Sequence, residues 1–358
     1  MTNTKDLKTK QRESGIELFR IITMLIIVAH HYFVNSGLSK IVYENPTFAI
    51  NNVFLLIFGW GGKTGINCFV IITGYFMCTS NITLKKYLKL ILCVEFYKIT
   101  ILFIFVITGV QDVSFKSVFK SILPITSVKD GFTSAYLCFF LFIPFLNILI
   151  TNMNKKTHLT LIALCIGIYS ILGALPIPVT FNYITWFSVI YVIGAYLRLY
   201  PEWWFNKKSI WGIASVFSLI LSWCSVIVGL YVYIKYHKNV CYWFISDSNK
   251  PLAVITSICS FMFFKNINIG YKKTINRIAA SAFGVLLIHA NSSTMRQWLW
   301  VDTLKNVKFY NSHMLYLHAF GSVCLIYFIC TLIDMMRIKC IEIPFLKLYD
   351  KKLGRCYK

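Results

Sequence analysis

Glu17, Arg20, His30 and His31 are four ionisable side chains set in or beside an apolar stretch: Glu17-Leu-Phe-Arg20 is followed by the run Ile21 to Ala29 and then by the two histidines. Arg20 and His31 are 11 positions apart. At ~3.6 residues per turn that is almost three whole turns, so a helix carries both on one stripe, roughly 16 Å apart along its axis. They cannot touch each other directly. His30 points ~100° away round the same helix, which leaves His31 as the histidine aligned with Arg20. An imidazole is the usual group for removing a proton from an attacking hydroxyl. Ionisable residues inside an apolar span mark a functional site by default, although either histidine also reads as a polar residue near a membrane interface. Glu17, three residues before Arg20, is placed to pair with it and hold the guanidinium near lipid.

Other candidates are spread along the chain. Glu95 and Lys98 repeat the i, i+3 relation and read more readily as a structural pair. Lys85, Lys86 and Lys89 cluster at the start of the same apolar segment, either as a solvated topology signal or as a site for anionic phosphate groups. His289 and Arg296 are seven positions apart on a late segment, close to one helical face, with Asn291 between them. With Asn67 they are the candidates for substrate contact, while a neighbouring helix would satisfy such a histidine equally well. The chain has no Walker-type phosphate loop, no His-Glu-x-x-His helix, no Gly-x-Ser-x-Gly elbow and no haem or iron–sulfur pattern. No metal or prosthetic group is therefore expected.

The elements that must position these residues are membrane helices. Of 358 residues, 57% are hydrophobic and 14% charged, which excludes an ordinary soluble domain. Ile210 to Ile234 contains no charged side chain and exceeds the ~20 residues a bilayer requires. Apolar runs predict an all-α polytopic protein of about ten spans, at 16–35, 53–78, 88–109, 134–151, 158–175, 182–200, 210–234, 251–265, 279–300 and 314–336. Gly59-Trp-Gly-Gly-Lys63 interrupts the second, which predicts a broken helix or a re-entrant piece. One membrane domain covers the whole chain, with a short basic segment at 1–15 and a tail at 337–358.

The net charge of +23 falls in clusters between the apolar runs rather than on one stripe, so it reads as topology and not as nucleic-acid binding. With both termini inside, the inner connections hold more than twice as many Lys and Arg as the outer ones. Both termini are thus expected in the cytosol. The first span lacks a cleavage signature and is expected to be retained. The 12 cysteines lie mostly in the spans without regular spacing and read as small buried hydrophobes. Interfacial aromatics such as Tyr242-Trp243-Phe244 would face lipid headgroups or a glycan.

The chain resembles the membrane-bound acyltransferase-3 family, multi-helix enzymes that O-acetylate bacterial surface polysaccharides and related acceptors. The resemblance rests first on Glu17-Leu-Phe-Arg20 with His31 eleven positions beyond the arginine. Gly65-Ile-Asn-Cys-Phe-Val-Ile-Ile-Thr-Gly74-Tyr75 is similar to a family segment that usually has serine at Thr73. Phe283-Gly-Val-Leu-Leu-Ile-His289 looks like its late Tyr-Leu-x-His stretch, and Ile341-Glu342-Ile-Pro344 like its terminal Glu-x-Pro. Where members often carry Arg-x-x-Arg, this chain has Lys86-Tyr-Leu-Lys89. The resemblance implies a bacterial cytoplasmic-membrane enzyme with cytosolic acetyl-CoA as co-substrate and a capsular, exopolysaccharide or other cell-envelope glycan as acceptor. It further implies that Arg20, Lys86 and Lys89 hold the donor's phosphates, and that His31 acts as base or first accepts the acetyl group. A transporter or flippase of a lipid-linked glycan or a small solute is the competing reading, since many spans, a broken helix and buried charge serve it too.

Overall fold

The computed structural model describes residues 14–125, 131–175, 177 and 179–356, and it is helical with no strand among them. The first half comprises α1 (Ser14–Val34), α2 (Leu38–Glu44), α3 (Ile50–Phe58), α4 (Gly62–Met77), α5 (Leu84–Ile107), α6 (Phe115–Ile122), α7 (Phe132–Thr151) and α8 (Lys155–Ile166). Then follow α9 (Tyr183–Leu199), α10 (Lys208–Tyr236), α11 (Pro251–Lys265), α12 (Lys273–Ala280), α13 (Ala282–His289), α14 (Ser293–Arg296), α15 (Leu315–Arg337) and α16 (Ile343–Cys356). Their starts follow from local chemistry. Thr83, Asn154 and Asn182 each accept a hydrogen bond from a first-turn amide of α5, α8 and α9, and Pro251 opens α11, where its missing N–H is not needed.

All ten apolar segments are helical. Among the described residues, seven helices are long and apolar enough to cross a membrane, or eight if one bent pair counts as a span, while α9 and α11 are shorter apolar helices. Gly59 to Gly61 do interrupt the second segment between α3 and α4, yet Ile50–Met77 runs on as one 28-residue span. The ninth segment departs from expectation: Lys273–His289 and Ser293–Phe309 meet at 96° rather than forming one helix. The reason lies at the break, where the Ser292 side chain accepts from Met295 N–H and starts a new helix instead of prolonging the old one. The tail also continues the fold. A π-helical turn, Ile338–Glu342, carries α15 into α16.

Two apolar cores share α1. Its first turns place Ile16 and Phe19 among α4, α7, α9 and α11, and its later turns place Met24 to Phe33 among α5, α13 and α15. Backbones approach closely where α4 crosses α9. A Cβ at Gly74 would lie 2.4 Å from the Tyr191 carbonyl oxygen, and one at Gly194 2.6 Å from that of Ile71, so only glycine fits on either side.

Polar ties between connections sort them into two faces. On one, Ser14 bonds Asn276, Lys85 pairs with Asp350 at 2.7 Å, Lys155 pairs with Glu202, and Lys265 bonds Asn206. On the other, Tyr310 bonds Asn52, Tyr233 bonds the Tyr43 carbonyl and Tyr242 that of Leu56. The charge pattern assigns the connection at or next to each of these residues to the same side as that of its partner.

Candidate active site

His30 and His31 have separate partners. Gly59 ends α3 beside the interruption, and the His30 ring nitrogen Nδ1 lies 2.6 Å from its carbonyl oxygen. The ring packs tightly on α4, since a Cβ at Gly62 would come within 2.3 Å of it. His30 is thereby a tether between α1 and the broken span. His31 turns the other way, with Nδ1 2.9 Å from Nε2 of His289, whose own Nδ1 is 2.6 Å from the Val285 carbonyl oxygen.

That chain fixes the tautomers. A carbonyl only accepts, so His289 carries its proton on Nδ1 and, as a neutral imidazole, presents Nε2 as an acceptor. His31 must then donate from Nδ1, which leaves the lone pair on its Nε2. His289 is fully buried behind the ring, whereas His31 lines a cavity of about 530 Å³. His30, Asn35, Lys63, Lys98, Asn291 and Arg296 share that wall.

A second cavity, of about 500 Å³, lies on the other side of Phe132 and Leu286, which line both. Its cationic wall consists of Arg20, Lys86, Lys89 and Arg337. Arg20 pairs with the buried Glu17 at 3.5 Å. The Lys86 ammonium donates to the Asn81 carbonyl at 2.7 Å and has no carboxylate partner among the described residues. Lys89 pairs with Glu342 at 2.7 Å. Arg337 bridges Glu342 at 2.9 Å and Asp334 at 2.8 Å, and Tyr97 donates to the same Asp334 oxygen at 2.8 Å. A buried charge left unpaired is strongly destabilising, so this network ties α5, α15 and the π-helical turn into one wall. Gly284 leaves room for it: a Cβ there would lie 2.1 Å from Asp334 Oδ1. Gly284→Ala is expected to lower stability by about 1–3 kcal/mol, the usual penalty for overpacking, read as an earlier thermal transition in detergent. An unchanged transition would show that Asp334 moves aside freely.

The family model described as an acyltransferase domain matches residues 13–335. The chain belongs to the acyltransferase-3 family. No curated protein and no solved structure matches it. Membership makes this a membrane acyltransferase and supports acyl transfer to a hydroxyl acceptor, which sets transport behind transfer.

In this acyltransferase, Arg20, Lys86 and Lys89 line one cavity, and Glu17 stands behind Arg20. His31 is in the other cavity, so the two residues on the α1 stripe serve two different spaces. His289 and Arg296 do not share a helical face, because the 96° bend falls between them. Arg296 reaches the His31 cavity, whereas His289 contacts His31 from behind and does not line that wall. Asn67 is brought to neither cavity. Its amide is spent in the core, donating to the Ser248 carbonyl at 2.7 Å and accepting from Trp186 at 2.9 Å. Asp334 and Arg337 escaped the sequence reading, although they repeat the acid-before-base i, i+3 spacing of Glu17 with Arg20. Glu95 and Lys98 are a pair at 3.6 Å, as their spacing suggested.

Proposed function

We propose that this acyltransferase moves an acetyl group from acetyl-CoA to a hydroxyl of a cell-envelope glycan, either a surface polysaccharide or its lipid-linked precursor. The observation that carries the reading is the Val285–His289–His31 chain, which leaves a lone pair on Nε2 of a histidine that lines one cavity, next to a second cavity lined by Arg20, Lys86, Lys89 and Arg337. The donor's phosphates lie on Arg20 and Lys86, with Lys89 beside them, and its flexible arm passes between Phe132 and Leu286. His31 Nε2 takes the proton of the acceptor hydroxyl as its oxygen attacks the thioester carbonyl. When the tetrahedral intermediate collapses, the C–S bond breaks and the imidazolium returns that proton to the thiolate. His289 holds the imidazole in the required tautomer, as the third member of a triad does. No metal or prosthetic group enters the step.

The positive-inside pattern supports a cytosolic Arg20 cavity, with both termini on that side of a bacterial cytoplasmic membrane. A cysteine placed at Lys352 is therefore expected to resist an impermeant thiol reagent in intact cells and to react once they are permeabilised, over the background of the unsubstituted protein. Strong labelling of intact cells would reverse the orientation. Proton NMR of the envelope glycans with and without the protein tests the reaction. Loss of an O-acetyl methyl signal is expected, and an unaltered glycan profile would remove this acceptor class.

A further inference from the structure

Among the described residues, the walls of the His31 cavity carry Lys63, Lys98 and Arg296 and no Asp or Glu. Two of these cations are already neutralised. Lys63 pairs with Asp247 at 3.2 Å and donates to the Tyr183 hydroxyl at 2.5 Å, which itself donates to Asp247 at 3.3 Å. That closed triangle fastens α4 and α9 to the loop before α11. Lys98 pairs with Glu95 and donates to the Leu123 carbonyl.

Arg296 is different. Its Nε donates to the Ser292 carbonyl at 3.2 Å, which holds the shaft along α14 and leaves the terminal nitrogens unspent. Among the described residues it has no carboxylate partner, although it stands in a partly buried wall beside the reacting histidine. A guanidinium in such a place is costly unless an anion joins it, and its planar fork suits a carboxylate or phosphate oxygen pair. A π-helical turn, Gln297–Thr303, begins directly after it, and such turns are frequent at functional sites.

Resting on the acetyl-transfer reading above, we infer that the acceptor is an anionic glycan whose carboxylate or phosphodiester, close to the acetylated hydroxyl, is held by Arg296. The anion anchors the sugar while His31 Nε2 meets the hydroxyl, so Arg296 is a specificity-determining residue and takes no proton. Asn35 and Asn291 supply neutral hydrogen-bonding groups on the same wall.

The test uses purified protein in nanodiscs, radiolabelled acetyl-CoA, and envelope glycan isolated from cells lacking the protein. The glycan is offered untreated, after reduction of its carboxylates to alcohols, and after hydrofluoric acid cleavage of its phosphodiesters. One treatment is expected to raise the acceptor KM at least about tenfold, the scale of one charge-assisted hydrogen bond, and which one does so names the anion. Arg296→Gln is expected to raise KM for the untreated glycan by a similar factor, to be indifferent to that treatment, and to leave the acetyl-CoA KM unchanged. Arg296→Lys should recover part of the loss. Equal acetylation of all three glycans overturns the inference, as does an Arg296→Gln variant whose kcat falls alike on charged and neutralised acceptors. Absence of transfer from wild-type protein to the untreated glycan is a separate result. It overturns the acetyl-transfer reading itself, and the anionic acceptor with it.

Discussion

His31→Ala is expected to reduce acetyl transfer by ~10²–10⁴-fold, the usual effect of losing a catalytic base, with protein levels close to wild type. The ring contributes one hydrogen bond to the buried His289, so its removal costs stability of about 1–3 kcal/mol, a loss the thermal transition reports separately from the rate. His30→Ala is expected to spare the rate. It abolishes the 2.6 Å tie to the Gly59 carbonyl at the broken span, lowering stability by ~1–3 kcal/mol, while the rate per folded molecule stays within about tenfold of wild type. Initial rates and thermal transitions of the two purified variants separate these effects. An inactive but stable His30→Ala beside an active His31→Ala would reverse the assignment.

Arg20→Lys is expected to raise the KM for acetyl-CoA by about tenfold or more while changing kcat and acceptor preference little. A guanidinium binds two phosphate oxygens through its planar fork, and an ammonium supplies only a point charge, so the substitution keeps the sign and loses the geometry. It is a cleaner probe than Arg20→Ala, which would leave the buried Glu17 carboxylate without this partner and weaken α1. Full kinetics on both substrates decide the matter. An unchanged acetyl-CoA KM together with a raised acceptor KM would place Arg20 on the acceptor side.

The parts of this site that lie on one helix were legible in the sequence. Arg20 and His31 needed only the helical repeat to be set on one stripe, and the structure adds that the stripe opens into two cavities. What joins distant segments was not legible. The His31–His289 contact spans 258 positions, and no local pattern distinguishes a histidine that faces a cavity from one that steadies another ring. The same blindness made Asn67 look like a substrate residue, when Trp186 and Ser248 consume its amide in the core. Helical periodicity across His289 and Arg296 presumed a continuous helix, and it failed at Asn291-Ser292, where a serine cap competes with the helix. Asp334 and Arg337 were overlooked for a simpler reason. Arg337 read as the start of a charged tail, whereas the chain stays helical through it and into α16.

One assay tests acetyl transfer through His31 most directly: purified protein in nanodiscs with radiolabelled acetyl-CoA and the isolated envelope glycan, run beside His31→Ala. Label should appear on the glycan as an alkali-labile ester with stoichiometric release of CoA thiol, and both signals should vanish in the variant. Undiminished transfer by His31→Ala, or wild-type movement of glycan across a vesicle membrane with no acetyl-CoA consumed, would contradict it.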